Sequence, residues 1–320
     1  GISAIILRKE ISYSLSLVCI LLHDYYSMRH ISPELRIFHN LSALLCFFFV
    51  VWIIHRYIRQ REGLAKTVQQ QRDAILQDVE LAAQVQRMFL PLGKPSIAWL
   101  EIAGMMQPAK GLSGDYYDYI PIDAHTMQIV IADVSGKGVS AALLMAATAA
   151  AAQLEANHER NMLEIVGRLN TRILSVSDDE HYVTLLLAEI DADKKTLHYV
   201  NCGHNPALLF RSETGRVTQL DSSCAPIGIS AEEICDLASA DLGAGDVLVL
   251  YTDGVTEAQN ALGEEFGTER LSALLERGFA LSAESLMSTI FSSASVFCNQ
   301  VGFADDVTIL VVKCNFDVSM

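Results

Sequence analysis

The sequence predicts an α+β domain of layered sheet and helix, set behind an apolar N-terminal segment and a long helix. Three observations lead there. Short apolar runs at 127–133, 182–191, 196–201, 207–211, 247–251 and 307–313 read as strands. Several are joined by short polar turns such as 191–195, which implies hairpins and antiparallel sheet. Helical patterns at 139–156, 160–175, 267–277 and 283–299 interrupt those runs in pairs, which suits a layered α+β arrangement better than a doubly wound one.

The apolar excess, 51% of 320 residues, is concentrated in the first 54 positions and around 139–152. Residues 37–54, IFHNLSALLCFFFVVWII, hold no formal charge over 18 positions. As a helix they reach about 27 Å, and with their flanks they match a bilayer core of about 30 Å. His55, Arg56, Arg59 and Arg61 follow at once. A basic cluster there places the C-terminal side in the cytoplasm. A shorter apolar stretch, 11–22, lies between Arg8-Lys9 and Asp24. It makes a second candidate span, near 11–27, and fits a signal-type segment or a buried core helix equally. Residues 1–55 are expected to be a membrane anchor in contact with lipid. The initial Gly1 suggests that the chain starts inside a longer protein.

Residues 56–92 form the expected linker. From 56 to 90 there is no proline and only Gly63. Ile58, Ala65, Val68, Ile75, Val79, Ala82 and Phe89 recur at three-four spacing, broken at Arg61, Arg72 and Gln86. This imperfect heptad predicts a signalling helix that pairs in a homodimer. The same pattern fits an amphipathic helix packed on its own domain. Pro91 and Pro95 end it.

Net charge is −15 and no long Lys/Arg run appears, which argues against a nucleic-acid partner. The seven cysteines, Cys19, Cys46, Cys202, Cys224, Cys235, Cys298 and Cys314, form no CxxC pair. They read as reduced thiols without a zinc site.

From residue 93 on, aspartates recur at the ends of apolar runs: Asp115 opens YYDYIPI, Asp133 ends MQIVIAD, Asp253 ends VLVLYTD, and Asp305-Asp306 precede VTILVVK. Carboxylates held at strand ends suit hard cations such as Mg²⁺ or Mn²⁺. Each aspartate alone also fits a turn residue or a helix cap. Ser135-Gly136-Lys137-Gly138 is not a nucleotide P-loop, because Ile131 stands where the first glycine belongs and Gly138 where Ser or Thr belongs. His204, in a turn before a strand, reads as structural, and Lys110 as a solvated lysine.

Taken in order, Leu112-Ser113-Gly114-Asp115-Tyr116-Tyr117-Asp118, Ala132-Asp133-Val134-Ser135-Gly136-Lys137-Gly138, Tyr251-Thr252-Asp253-Gly254-Val255-Thr256-Glu257 and Asp305-Asp306-Val307-Thr308 resemble the PPM-type metal-dependent phosphatases, in the bacterial SpoIIE/RsbU branch. Gly203-His204-Asn205-Pro206-Ala207, Ala225-Pro226-Ile227-Gly228, and Gln84-Val85-Gln86 leading to Leu90-Pro91 match that branch too. The resemblance implies two packed antiparallel sheets flanked by helix pairs over 93–320. It implies two Mn²⁺ or Mg²⁺ ions. Asp133 would bridge them beside the Val134 carbonyl, Asp253 and Asp305 would complete the shell, and Asp115 would bind directly or through water. No phosphate-binding arginine stands within 102–116. The implied substrate is a phosphoserine or phosphothreonine on a STAS-type anti-sigma-factor antagonist, and the implied place is a bacterial cytoplasmic membrane with the catalytic domain inside. Two other readings remain at this point. One is a catalytically silent membrane receptor whose phosphatase-like domain only binds a partner. The other is a metal-dependent phosphohydrolase of small molecules.

Overall fold

The computed structural model describes residues 18, 32–91, 93, 95, 97–177, 181–231, 235–299 and 302–316. Apart from Val18, the 11–22 stretch lies outside them. The chain divides into two compact units, 1–76 and 77–320.

Helix α1 (Pro33–Arg87) makes up most of what is described of the first unit, and its last turns belong to the second. It begins at Pro33, a residue suited to a helix start because it has no N–H to leave unpaired. Its apolar window has a mean hydropathy of 2.2 and is wholly unburied. Phe38, Leu45, Phe48, Phe49 and Trp52 are among the exposed side chains. The helix ends ahead of Pro91, in a turn of three-residue hydrogen bonds such as Phe89 N to the Gln86 carbonyl, 3.0 Å.

The second unit contains two five-stranded sheets. One runs β1 (Leu100–Gln107), β10 (Val307–Cys314), β9 (Val247–Tyr251), β6 (Ala207–Arg211), β7 (Arg216–Leu220). The other runs β2 (Tyr116–Pro121), β3 (Thr126–Val134), β4 (Val183–Asp191), β5 (Thr196–Cys202), β8 (Ala238–Asp241). All the strand pairings are antiparallel.

Alternation along the strands builds the layers. Ile129, Ile131, Leu186, Leu248, Leu250 and Leu310 meet between the sheets. Their neighbours Val130, Ala132, Leu185 and Leu187 face α2 (Val139–His158) and α3 (Met162–Leu174). On the other sheet, Val249, Tyr251, Ile309 and Val311 face α5 (Gly267–Gly278) and α6 (Ala283–Cys298). Burying such a side chain stabilises by roughly 1.5–3 kcal/mol. The result is the expected α-β-β-α sandwich. Helix α2 is apolar enough to cross a membrane by composition, but its apolar face is covered by the domain's own core, with Ala141, Met145, Ala149 and Ala152 packed on the sheet.

The structure adds strands that the apolar runs did not predict. In β1, Gly104 breaks the apolar pattern. A Cβ there would meet the Tyr117 ring at 2.4 Å, so the close approach of β1 to β2 requires glycine. Asp253 does not end a strand. It opens a short helix, α4 (Asp253–Thr256), directly after β9. Cys224 and Cys235 are joined by a disulfide, which corrects the reading of seven reduced thiols.

Candidate metal centre and active site

At one end of the gap between the sheets, the inner-face positions change from apolar to polar. Asp133 follows Ile131 on that face, Thr184 pairs with Asp133 across β3 and β4, and Thr308 precedes Leu310. Thr252 follows Leu250, and Asp115 precedes Tyr117. The two-residue period therefore aims all five side chains into the same place.

Asp115 is buried at 1% exposure. Its Oδ2 accepts hydrogen bonds from Thr252 Oγ1 (2.8 Å) and Thr308 Oγ1 (2.6 Å). Burial pushes its carboxyl well above the ordinary range, the Asp133 charge adds to this, and the two threonine hydroxyls oppose it. Asp133 is pushed up to about 7, first by burial and then by the charges of Asp253 and Asp305, while a hydrogen bond with Asp115 works the other way. Asp253 is raised by burial and by Asp305. Asp305 faces Lys137, whose Nζ lies 2.7 Å from its Oδ2. Val134, the next residue after Asp133, is fixed by its N–H to the Gly114 carbonyl at 3.3 Å.

The structure thus gathers Asp115, Asp133, Val134, Asp253 and Asp305 in one region. No three carboxylates in the described residues bring one oxygen each within 4.8 Å of one another. A shell shared by two ions about 3.5–4 Å apart does not need that. The donor set is all hard oxygen, the neighbouring carboxylates hold Asp133 and Asp253 up beyond what burial does, and the Lys137 ammonium lies against Asp305. These residues fit small divalent cations, which would relieve the crowded negative charge.

Residues without an assigned role in the sequence hold this set in place. Asp306 accepts from the Ala109 and Gly114 N–H groups at 2.8 Å each, tying the 109–114 loop to the start of β10. A Cβ on Gly254 would lie 1.9 Å from the Asp306 carbonyl oxygen, so only glycine lets α4 approach. Gln86 is buried against the Ser113 backbone. His204 is buried as expected of a structural residue. Its Nδ1 lies 2.9 Å from Thr184 Oγ1, which also reaches the Asp133 carbonyl at 3.3 Å. Burial pushes His204 down to about 4, so it is neutral here. Lys110 is exposed. Thr252 and Thr308 stood inside the ordered motifs, and the alternation of their strands was the signal that could have assigned them.

Residues 123–315, more than half the chain, match the family model for Stage II sporulation protein E (SpoIIE). Phosphoserine phosphatase RsbU of Bacillus subtilis (strain 168) is 28% identical over 290 residues, 89% of this chain and 83% of that protein. Phosphoserine phosphatase RsbP of the same organism is 31% identical over 186 residues, 56% of this chain and 45% of that one. Among solved structures, the SiaA-PP2C domain of Pseudomonas aeruginosa superposes with a TM-score of 0.67 at 21% identity, over 76% of this chain and 98% of that domain. The ordered motifs, the two-sheet sandwich and these matches agree, and the chain belongs to the SpoIIE family of PPM-type phosphatases.

Proposed function

We propose that this chain is a membrane-anchored, divalent-metal-dependent phosphatase that removes phosphate from a serine or threonine of a regulatory protein. The observation that carries the reading is the convergence of Asp115, Asp133, Asp253 and Asp305 on one end of the sandwich, with Asp133 pushed up to about 7. Asp133, the Val134 carbonyl, Asp253 and Asp305 would hold two Mn²⁺ or Mg²⁺ ions, with Asp115 bound directly or through water. Such ions polarise a phosphoryl group and acidify water.

The chain's own residues do the rest. Thr252 and Thr308 orient the Asp115 carboxylate from behind. The Asp306 carboxylate fixes the loop that leads to Asp115. Lys137, at the half-exposed rim, compensates Asp305 and offers a cation near an incoming phosphate. The likeness to phosphoserine phosphatase RsbU supports a phosphoserine substrate, and the family resemblance of the ordered motifs implies that it sits on a STAS-type protein in a partner-switching pathway.

The unburied apolar window of α1 and the basic residues after it support anchoring in a bacterial cytoplasmic membrane with the catalytic domain inside. The domain division read from the sequence (anchor 1–55, linker 56–92, catalytic 93–320) belongs to this proposal. So does a homodimer formed through the linker. Purified full-length protein in detergent is expected to hydrolyse p-nitrophenyl phosphate with Mn²⁺, and Asp133→Ala or Asp253→Ala to abolish this. Equal turnover in chelator-treated buffer would sink the proposal.

A further inference from the structure

Three cysteines outside the carboxylate site come together in the second unit. Cys202 ends β5 and is fully buried. Cys224 faces it across a parallel β-bridge and is disulfide-bonded to Cys235. The Cys202 sulfur lies 3.3 Å from the Cys224 sulfur, and all three sulfurs lie within 4.8 Å of one another. These residues are 22 and 11 positions apart in sequence, so the fold rather than a local turn assembles them. A bridge partner lies about 4.8 Å away, inside the Cα separation that a disulfide accepts. Cys202 and Cys224 are therefore placed for a second, alternative bond.

Two chemistries use such a cluster. A structural zinc site needs separated thiolates and usually four ligands. Here two sulfurs are bonded, and among the described residues the group of ligand-type side chains has three members. A bonded pair with a third thiol in contact is instead the arrangement of thiol–disulfide exchange. Cys224 and Cys235 are half-buried and reachable by a small oxidant, whereas Cys202 is not.

We propose that Cys202, Cys224 and Cys235 form a reversible thiol–disulfide exchange site that reacts with low-molecular-weight disulfides such as oxidised glutathione. One thiol of the Cys224–Cys235 pair loses its proton and attacks the small disulfide. A mixed disulfide forms and one small thiol leaves. The second cysteine then attacks the mixed disulfide, and the other small thiol leaves. In total the two protein thiols give up two electrons and two protons, and these convert the small disulfide into two thiols. In a further step without net oxidation, the deprotonated Cys202 sulfur attacks Cys224 Sγ. The Cys224–Cys235 bond breaks, and Cys235 leaves as a thiolate and takes up the proton.

The cluster adjoins a segment that braces β4. The Asn201 carbonyl accepts from Ser223 N at 2.8 Å and from Cys224 N at 3.1 Å. Gly203 approaches Pro226 so closely that a Cβ would lie 2.6 Å from its ring. Ile227 and Val183 exchange both backbone hydrogen bonds at 2.9 Å. Val183 precedes Thr184, the partner of Asp133 in the sheet. The bond state of Cys224 therefore sets how firmly 222–228 holds the start of β4.

The test uses the full-length protein in detergent, equilibrated in glutathione buffers of graded reduced-to-oxidised ratio. Samples are acid-quenched, alkylated, cleaved after Lys, Arg and Glu, and read by mass spectrometry. A Cys224–Cys235 linked peptide is expected to grow with the oxidised fraction and to vanish on reduction, with a minor Cys202–Cys224 peptide beside it. In Cys235→Ser the linkage should move wholly to Cys202–Cys224. Amide hydrogen exchange at Val183 and Ile227 should be about tenfold faster in the reduced wild type, a fraction of what closing a loop of this length contributes. Linked peptides absent at every ratio would overturn the site, as would bound zinc that protects all three thiols until it is chelated. A Cys235→Ser protein without the Cys202–Cys224 peptide would remove Cys202 from it, and the minor peptide of the wild type checks the same point independently of that variant's folding. Unchanged amide exchange would break the link to β4.

Discussion

The side-chain amide of Gln86 makes two hydrogen bonds to the backbone of Ser113: Nε2 donates to the carbonyl at 2.6 Å, and Oε1 accepts from the N–H at 3.0 Å. Ser113 Oγ in turn accepts from Asp115 N at 3.0 Å. The last turn of α1 is thereby wired to the loop that carries a site carboxylate. Val79 and Ala83 pack beside it on Leu112 and Ala142.

Gln86→Leu keeps the volume and loses both hydrogen bonds. It leaves the buried Ser113 N–H and carbonyl without their partner. Two neutral hydrogen bonds are worth about 2 kcal/mol together, so the half-saturating Mn²⁺ concentration should rise by up to about 30-fold. A Mn²⁺ titration of p-nitrophenyl phosphate hydrolysis reads this. A shift below twofold would mean that the helix end does not set the site.

Gly254→Ala tests the fit of α4 against the start of β10. Its methyl group would overlap the Asp306 carbonyl at 1.9 Å, and that contact is backbone on both sides, so no rotamer relieves it. Urea unfolding should show a loss of about 3 kcal/mol or more. Gly167→Ala is the control. It lies in α3 with open space around it, and alanine there should stabilise by roughly 0.5–1 kcal/mol.

Much of this was readable in advance because the apolar strands alternate cleanly. Met127, Ile129 and Ile131 against Val130 and Ala132 already divide into two faces, and Asp133 takes its direction from them. What stayed hidden depends on partners far away in sequence. β8, Ala238–Asp241, is poor in strand formers and is a strand because β5 pairs with it. Gln86 looked like a flaw in a heptad, and it becomes the buried residue of its turn once Ser113 is opposite. Cys224 and Cys235 show no motif spacing because the 222–228 segment and β5 bring them together.

Asp133 makes the metal-free protein sensitive to pH. The folded state holds a proton there up to about 7, whereas an unfolded aspartate releases it near 4. The folded state thus binds more protons over that window, and stability falls as pH rises from about 4 to about 7. Divalent ions should reverse the trend, because binding needs the deprotonated form. Thermal melting in chelator at pH 5 and pH 7.5 should show the loss in the wild type and a smaller one in Asp133→Asn. Identical pH slopes for the two proteins would contradict the strained carboxylate.

His204 carries the opposite slope. Its pKa is pushed down to about 4 by burial, against about 6.5 when unfolded. The unfolded state binds the extra proton, so this residue's penalty is absent above about 6.5 and grows as pH falls toward 4. It reaches about 3 kcal/mol at most. His204→Asn should lose stability at pH 7.5, where the contact with Thr184 and the packing of the ring are intact, and lose less or gain at pH 4.5. Urea unfolding of variant and wild type at both values isolates this residue, since other titrating groups are common to the two proteins. Because His204 reaches Asp133 through Thr184 and not by a proton of its own, the variant should retain its Mn²⁺-dependent pH–rate profile while its maximal rate drops. A shifted profile would instead give His204 a direct part in proton transfer.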